Sequence, residues 1–335
     1  MKNLEQIGNN LLPAIAYGDA AGLPVETKSR KHIHEKFGRI DRLVSVQENP
    51  FYVGEFDRGT WSDDTQLSLA VAHSLIKTRG FDLRSMADEH VAAYNQTPQI
   101  TRPDGQAVKR GWGGSTTNSV ERYMATGDPE TCGEKEGMGN GVIMKMAPLA
   151  FWLIAREYDR SVAYDISDEF TSLTHDNDIS RVSSRVHLDA LWHLTESDYE
   201  RMSFAEAVMS SAVRHETKLG ESSRANSTAL NYLTRGVDGV EDIMKNTDGK
   251  GFYVPQTLAM AYGAFMVHDG HFAGSVYEAV NLGGDTDSTA SIAATMANLK
   301  SGGAFEIPGD FEDTLDHEQL REVSGQFTRL VLENK

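Results

Sequence analysis

Apolar residues recur at helical spacing along much of this chain, and no convincing stretch alternates with the period of two that a half-buried strand requires. Leu4, Ile7, Leu11 and Ile15 form one stripe, and Leu67, Ala70, Val71 and Leu75 form a second. Leu258, Ala261, Tyr262 and Phe265 make a third, with Pro255 near its start, and Leu320, Val323, Phe327, Leu330 and Val331 make a fourth. Residues 84–94, 147–157, 182–194 and 204–214 read as further helices. The pattern predicts an all-α fold, a compact assembly of many short helices. No internal repeat, low-complexity tract or Pro/Gly/Ser linker marks a boundary, so residues 1–335 are expected to form a single domain. Irregular segments separate the helices at Lys28 to Trp61, Thr97 to Thr117 and Gly127 to Gly141. Long loops in a compact domain are more often functional than idle.

The charge balance narrows the partners. Against 49 acidic residues stand 32 basic ones, a formal charge of −17, which repels phosphate backbones and anionic lipid. Neither nucleic acid nor membrane is therefore an expected partner. A small phosphate-bearing substrate stays admissible if cations and oriented backbone N–H groups attract it locally. The lone cysteine, Cys132, permits no intrachain disulfide and points to a reducing compartment, so the expected location is the cytoplasm. Its neighbour Glu134 would raise a thiol pKa, which argues against a nucleophilic role. Met1 to Gln6 are mostly polar and do not resemble a signal peptide, and the apolar run from Met146 to Ala155 is too short to span a bilayer. A monomer is the expected state.

Two segments carry more acid than structure alone asks of them. Gly59-Thr60-Trp61-Ser62-Asp63-Asp64-Thr65 and Gly283-Gly284-Asp285-Thr286-Asp287-Ser288 each stand immediately before an apolar helical run. Asp and Ser are good N-caps, and either segment by itself is adequately explained that way. One cap needs one acceptor, however, whereas each segment offers two carboxylates and a hydroxyl. Asp285 and Asp287 are two apart and share a side of an extended loop. Asp63 and Asp64 are adjacent, and at a cap the change from extended to helical backbone lets neighbouring side chains converge. Four carboxylates brought together without cations would repel and protonate. Hard, oxygen-preferring cations such as Mg²⁺ or Mn²⁺ remove that problem, and the absence of His from both segments argues against zinc.

These segments, with Gly18-Asp19-Ala20-Ala21-Gly22-Leu23-Pro24-Val25-Glu26 before them and Gly139-Asn140-Gly141-Val142-Ile143-Met144-Lys145-Met146-Ala147-Pro148 between them, resemble the ADP-ribosylglycohydrolase family in order and spacing. The resemblance implies a compact orthogonal multi-helix domain. It also implies two Mg²⁺ or Mn²⁺ ions held by Ser62, Asp63, Asp64, Asp285, Asp287 and Ser288. Glu26 matches a family glutamate on a mobile loop near the metals, which makes it a candidate base or water-positioning carboxylate. A capping or surface acid after Pro24 is the plainer alternative. Asp19 reads as a structural acid tying the first helix to its loop.

For the substrate, the Gly-rich segment with Gly111, Gly113, Gly114 and Ser115 matches the family's diphosphate and ribose loop, where glycines let backbone N–H groups approach phosphate. Gly139, Asn140 and His175 complete the implied substrate contacts. Three positions depart from the family: Ser62 and Ser288 replace the usual Thr, and Lys145 replaces a common Arg, losing a planar two-pronged donor.

The implied activity is metal-dependent hydrolysis of the glycosidic bond in ADP-ribosylated protein side chains, with arginine as the first expected acceptor and serine-linked or free ADP-ribose conjugates next. Glu26 or Asp64 would position the attacking water. Two rivals remain: a silent ADP-ribose binder, which the intact acids disfavour, and metal-assisted hydrolysis of a phosphate ester or another nucleoside-like glycoside, which the acids alone permit.

Overall fold

The computed structural model describes residues 2–46, 49, 58–101, 105, 107–309, 311 and 317–333. Among them lie fifteen α-helices and one small hairpin. In chain order the helices are α1 (Leu4–Gly22), α2 (Arg30–Phe37), α3 (Asp63–Thr78), α4 (Leu83–Gln96) and α5 (Gly114–Thr126). Then follow α6 (Ala147–Ala155), α7 (Arg160–Ser172), α8 (Asp178–Glu196), α9 (Arg201–Leu219) and α10 (Ala225–Leu230). The last five are α11 (Val240–Asn246), α12 (Val254–Val267), α13 (Phe272–Leu282), α14 (Thr286–Ser301) and α15 (His317–Leu332). The hairpin pairs β1 (Gln99–Thr101) antiparallel with β2 (Ala107–Lys109), Ile100 opposite Val108. The fold is all-α.

The helices that periodicity predicts are present, although α6 stops at Ala155, two residues before the predicted end, where Glu157 enters a left-handed conformation with φ 56°. The irregular segments hold more structure than the sequence suggests. Helix α2 lies within Lys28 to Trp61, and the hairpin and the start of α5 lie within Thr97 to Thr117. Helix α2 buries Ile33 alone, so it carries no apolar stripe to detect. Strands three residues long, half-exposed throughout, leave no readable alternation. Residues 47, 48, 50–57, 102–104 and 106 of these segments lie outside the described residues.

The centre of the molecule is α1 packed antiparallel on α14, with α3, α13 and α15 against α1. Helix α1 is buried from Leu11 through Gly22, and α14 from Thr286 through Leu299. Side chains from α14 also hold the backbone of α1: Asn298 Nδ2 donates to Ile7 O at 3.1 Å and Thr286 Oγ1 to Gly22 O at 2.7 Å. Gly18 and Gly22 let the two backbones touch. A Cβ on Gly18 would lie 2.5 Å from Ala290 O, and one on Gly22 would lie 2.2 Å from Thr286 O. This contact sets the last turn of α1 beside the first turn of α14.

A third helix end is drawn to the same place by Asp19. Its carboxylate accepts from Ser62 N at 2.9 Å, Thr65 N at 3.0 Å and Thr65 Oγ1 at 2.6 Å. Asp19 is thus the structural acid expected from sequence, but what it ties to α1 is the N-terminus of α3. No helix among the described residues is long and apolar enough to cross a membrane.

Candidate active site

The two acidic segments meet where α3 and α14 begin. Ser62 and Asp285 occupy the N-cap positions, yet neither side chain makes a capping hydrogen bond. In α1, α4 and α8 the N-cap residues Asn3, Asp82 and Asn177 do cap. The side chains at the two acidic starts are instead traded across the helices. Ser62 Oγ donates to Asp287 Oδ2 at 3.4 Å, and Ser288 Oγ donates to Asp64 Oδ2 at 3.2 Å. Asn140 Nδ2 donates to Asp285 Oδ2 at 2.6 Å and to Gly251 O at 3.1 Å. The oxygens Asp64 Oδ1 and Asp287 Oδ1 are buried with no hydrogen-bond partner among the described residues. Glu26, Asp285 and Asp287 each bring a carboxylate oxygen within 4.8 Å of the others, a spacing that suits a shared cation.

Above these acids opens a cleft of about 370 Å³. Its walls include Glu26, Asp63, Asp64, Gly111, Gly113, Gly114, Ser115, Gly139, Asn140, His175, Asp285, Asp287 and Ser288. Of the residues expected to contact metal or substrate, Ser62 alone does not reach the wall, and it lies beneath, bonded to Asp287. The Gly-rich segment is the start of α5, with Gly113 at the N-cap and no side chain capping it. Backbone N–H groups at such a helix start favour an anion. A Cβ at Gly113 or Gly114 would meet nothing within 4 Å, so packing does not demand glycine at either position. What their absence of side chains provides is open approach to the helix end from the cleft.

Electrostatics in the cluster are severe. Burial, followed by the charge of Asp287, pushes the carboxyls of Glu26, Asp63, Asp64 and Asp285 well above the usual carboxylate range. The same two causes raise Asp19 to about 7. Lys145 is a buried cation that feels the charges of Asp63 and Asp64; burial draws it down to about 7 while those two acids oppose the fall. A group with a raised folded-state pKa favours the fold below its unfolded value and loses that contribution as pH rises through the folded value. Asp19 therefore withdraws stability from the cation-free protein as pH climbs from the ordinary carboxylate value of 3.8 toward about 7, while the buried rings of His90, His175 and His187, each held down to about 3, add stability as pH rises through the same range. Comparing melting curves with and without Mg²⁺ isolates the acids: Mg²⁺ should raise Tm, relative to chelator, most at the alkaline end of that window. A Mg²⁺-induced rise in Tm no larger at the alkaline end than at the acid end would contradict the burial of these acids.

Several cleft residues were not anticipated. Phe252 stands at the rim, 42% exposed, and its backbone O accepts from Asn140 N at 3.2 Å. Its one sequence signal is an aromatic set directly after Gly249-Lys250-Gly251. Asn49 donates to Glu26 Oε2 at 3.3 Å and to Leu23 O at 2.8 Å, bracing the loop that carries Glu26. That loop is tied to the start of α14 by Thr27 N donating to Gly284 O at 2.8 Å. Cys132 is buried behind α5, its thiol pushed up chiefly by burial rather than by acidic neighbours, and takes no part in the cleft.

The family profile of the ADP-ribosylglycohydrolases matches residues 11–334. The chain belongs to that family. This ADP-ribosylglycohydrolase is accordingly a glycosidic-bond hydrolase. It is 26% identical to the ADP-ribosylarginine hydrolase of Pseudomonas putida over 303 residues, covering 87% of this chain and 69% of that protein. It is 22% identical to the ADP-ribosyl-[dinitrogen reductase] glycohydrolase of Rhodospirillum rubrum, covering 95% of this chain and 92% of that one. A solved ADP-ribosylglycohydrolase-related protein complex superposes with a TM-score of 0.71 at 24% identity, over 99% of this chain and 100% of that chain, which shows the shared fold.

Proposed function

We propose that this ADP-ribosylglycohydrolase removes ADP-ribose from modified protein side chains, with ADP-ribosylarginine as its substrate and two Mg²⁺ or Mn²⁺ ions as cofactors. The observation that carries the reading is the exchange between Ser62 and Asp287 and between Ser288 and Asp64, with Asp64 Oδ1 and Asp287 Oδ1 left unpartnered. Buried carboxylate oxygens without donors are costly unless a cation meets them. An all-oxygen donor set suits a hard divalent ion, and Ser62, Asp63, Asp64, Asp285, Asp287 and Ser288 are the residues that would hold it. Cations of this kind polarise a bound sugar oxygen and make water a better nucleophile. Residues 1–335 act in this reading as one catalytic domain.

In the proposed reaction, water adds to the anomeric carbon of the distal ribose as the bond to the arginine nitrogen breaks, and that nitrogen regains a proton. Glu26 or Asp64 orients the water, and the remaining carboxylates stabilise the positive charge that builds on the ribose. Glu26 sits within ligand distance of Asp285 and Asp287, so it addresses the same centre as the acids of α14. The start of α5, with Gly111, Gly113, Gly114 and Ser115, receives the diphosphate, while Gly139, Asn140 and His175 border the ribose. Arginine is favoured as acceptor because an acidic cleft attracts a guanidinium more than a neutral seryl oxygen. The P. putida relative is likewise an ADP-ribosylarginine hydrolase.

The test is release of ADP-ribose from arginine- and serine-modified peptides, with phosphate release followed in parallel, in Mg²⁺, Mn²⁺ or chelator. Cation-dependent ADP-ribose release from the arginine peptide is expected. Faster serine release would move the acceptor, phosphate release would replace the reaction class, and binding without turnover would leave a silent binder.

A further inference from the structure

One wall of the cleft contains a chain of three polar side chains running from the interior to the cavity. Lys145, fully buried before α6, donates from Nζ to Thr174 Oγ1 at 3.4 Å. The same oxygen lies 2.9 Å from His175 Nδ1. The backbone here is fixed independently: His175 N donates to Thr171 O at 2.8 Å, Glu134 N to Thr174 O at 3.1 Å, and Asp176 N to Glu134 O at 2.9 Å. The outer edge of the ring meets the glycines of the facing loop. A Cβ on Gly141 would lie 3.2 Å from His175 Cε1 and 3.6 Å from Nε2, and one on Gly139 would lie 3.9 Å from Nε2.

Proton counting then decides the tautomer. An ammonium donates and cannot accept, while a threonine hydroxyl has a single proton to give. Oγ1 can accept twice, but among the described residues His175 Nδ1 is the one acceptor in reach of its proton, so with Lys145 donating to Oγ1 the hydroxyl proton goes to Nδ1 and the proton of the ring belongs on Nε2. We propose that Lys145 and Thr174 are positioning residues that hold the His175 proton on Nε2, so that the ring edge facing the cleft donates to an oxygen of bound ADP-ribose. The proposal rests on the hydrolase reading above. It gives His175 a defined purpose: Glu26, Asp63, Asp64, Asp285 and Asp287 line this cleft as acceptors, and a polyoxygenated anionic ligand needs donors. Burial, and next the charge of Lys145, hold His175 down to about 3, so the ring stays neutral where the enzyme works and one nitrogen must be bare.

The experiment uses the full chain labelled with ¹⁵N-histidine and loaded with Mg²⁺, with long-range ¹H–¹⁵N spectra assigned through His175→Gln. The expected result is a protonated Nε2 and a bare Nδ1 in ligand-free protein, with the Nε2 proton shifting when ADP-ribose is added. Thr174→Val should redistribute the proton toward Nδ1 and weaken ADP-ribose inhibition about tenfold, the scale of one hydrogen bond. Thr174→Ser should restore both. A wild-type ring protonated on Nδ1, or a Thr174→Val protein with unchanged tautomer and affinity, would overturn the relay. Wild-type protein that binds no ADP-ribose would overturn the donor role by defeating the hydrolase reading itself, and the tautomer, measured without ligand, keeps that outcome distinct. Circular dichroism on each variant separates lost folding from lost positioning.

Discussion

Asp287→Ala is expected to lower ADP-ribose release by about a thousandfold or more and, at the same time, to raise the melting temperature of the cation-free protein. The two effects have one origin. Asp287 accepts from Ser62, and its charge is the largest after burial among the causes that raise Asp19, Glu26, Asp63, Asp64 and Asp285. Removing it relieves every one of those repulsions while taking away one of the two oxygens that the cluster leaves unpartnered. A residue retained for structure would behave in the opposite way, costing stability when deleted. Turnover and thermal melting of the same preparation check the pair. Near-wild-type rates would remove Asp287 from the site, and a lower cation-free Tm would remove the repulsion argument. Asp63→Ala should follow the same course on turnover, because its carboxylate lines the same cleft.

Gly22→Ala is expected to do the reverse, damaging the fold from a position that bears no chemistry. The added carbon would sit 2.2 Å from Thr286 O and 2.3 Å from Thr286 C, both backbone atoms that cannot swing aside. Helix α1 or α14 must move, and overpacking of this kind costs about 3 kcal/mol, at the upper end because no flexible side chain absorbs the strain. The shift would also part Asp19 from the start of α3, so activity should fall together with stability. Gly113→Ala is the control: its backbone φ is −68°, a Cβ there meets nothing, and its stability should change little. Denaturant unfolding of the two variants measures the contrast, and a Gly22→Ala protein as stable as wild type would mean that α1 and α14 do not touch as described.

How much of this was legible in the amino-acid order depended on the kind of signal. Helices that bury a continuous face announce themselves, because burial imposes the spacing: Leu67, Val71 and Leu75 of α3 are wholly inside. Helix α2 buries Ile33 alone and so left no such trace. The acids of the site were visible as an excess, two carboxylates where a cap uses one. What the order could not convey was their exchange, in which Ser62 turns to Asp287 and Ser288 to Asp64, since that depends on α1 and α14 meeting at Gly18 and Gly22. Supporting groups were hidden for a related reason. Asn49 and Thr174 are ordinary polar residues in sequence and acquire meaning only from the distance to Glu26 Oε2 or His175 Nδ1. Asn140, expected on the resemblance to touch substrate, spends one of its hydrogen bonds on Asp285.

The pairing of the first helix with the fourteenth has a further consequence during synthesis. Gly22 and Thr286 are separated by 264 positions, so at roughly 5–20 residues per second the ribosome needs about 13–50 s to deliver the partner of a helix it has already released. Throughout that interval the face of α1 that packs on α14 is without its native cover, and the two halves of the acidic centre have not yet met. Nascent chains of this enzyme should therefore be strong clients for holdase chaperones, and catalytic competence should arrive abruptly, only after the last third of the polypeptide has emerged.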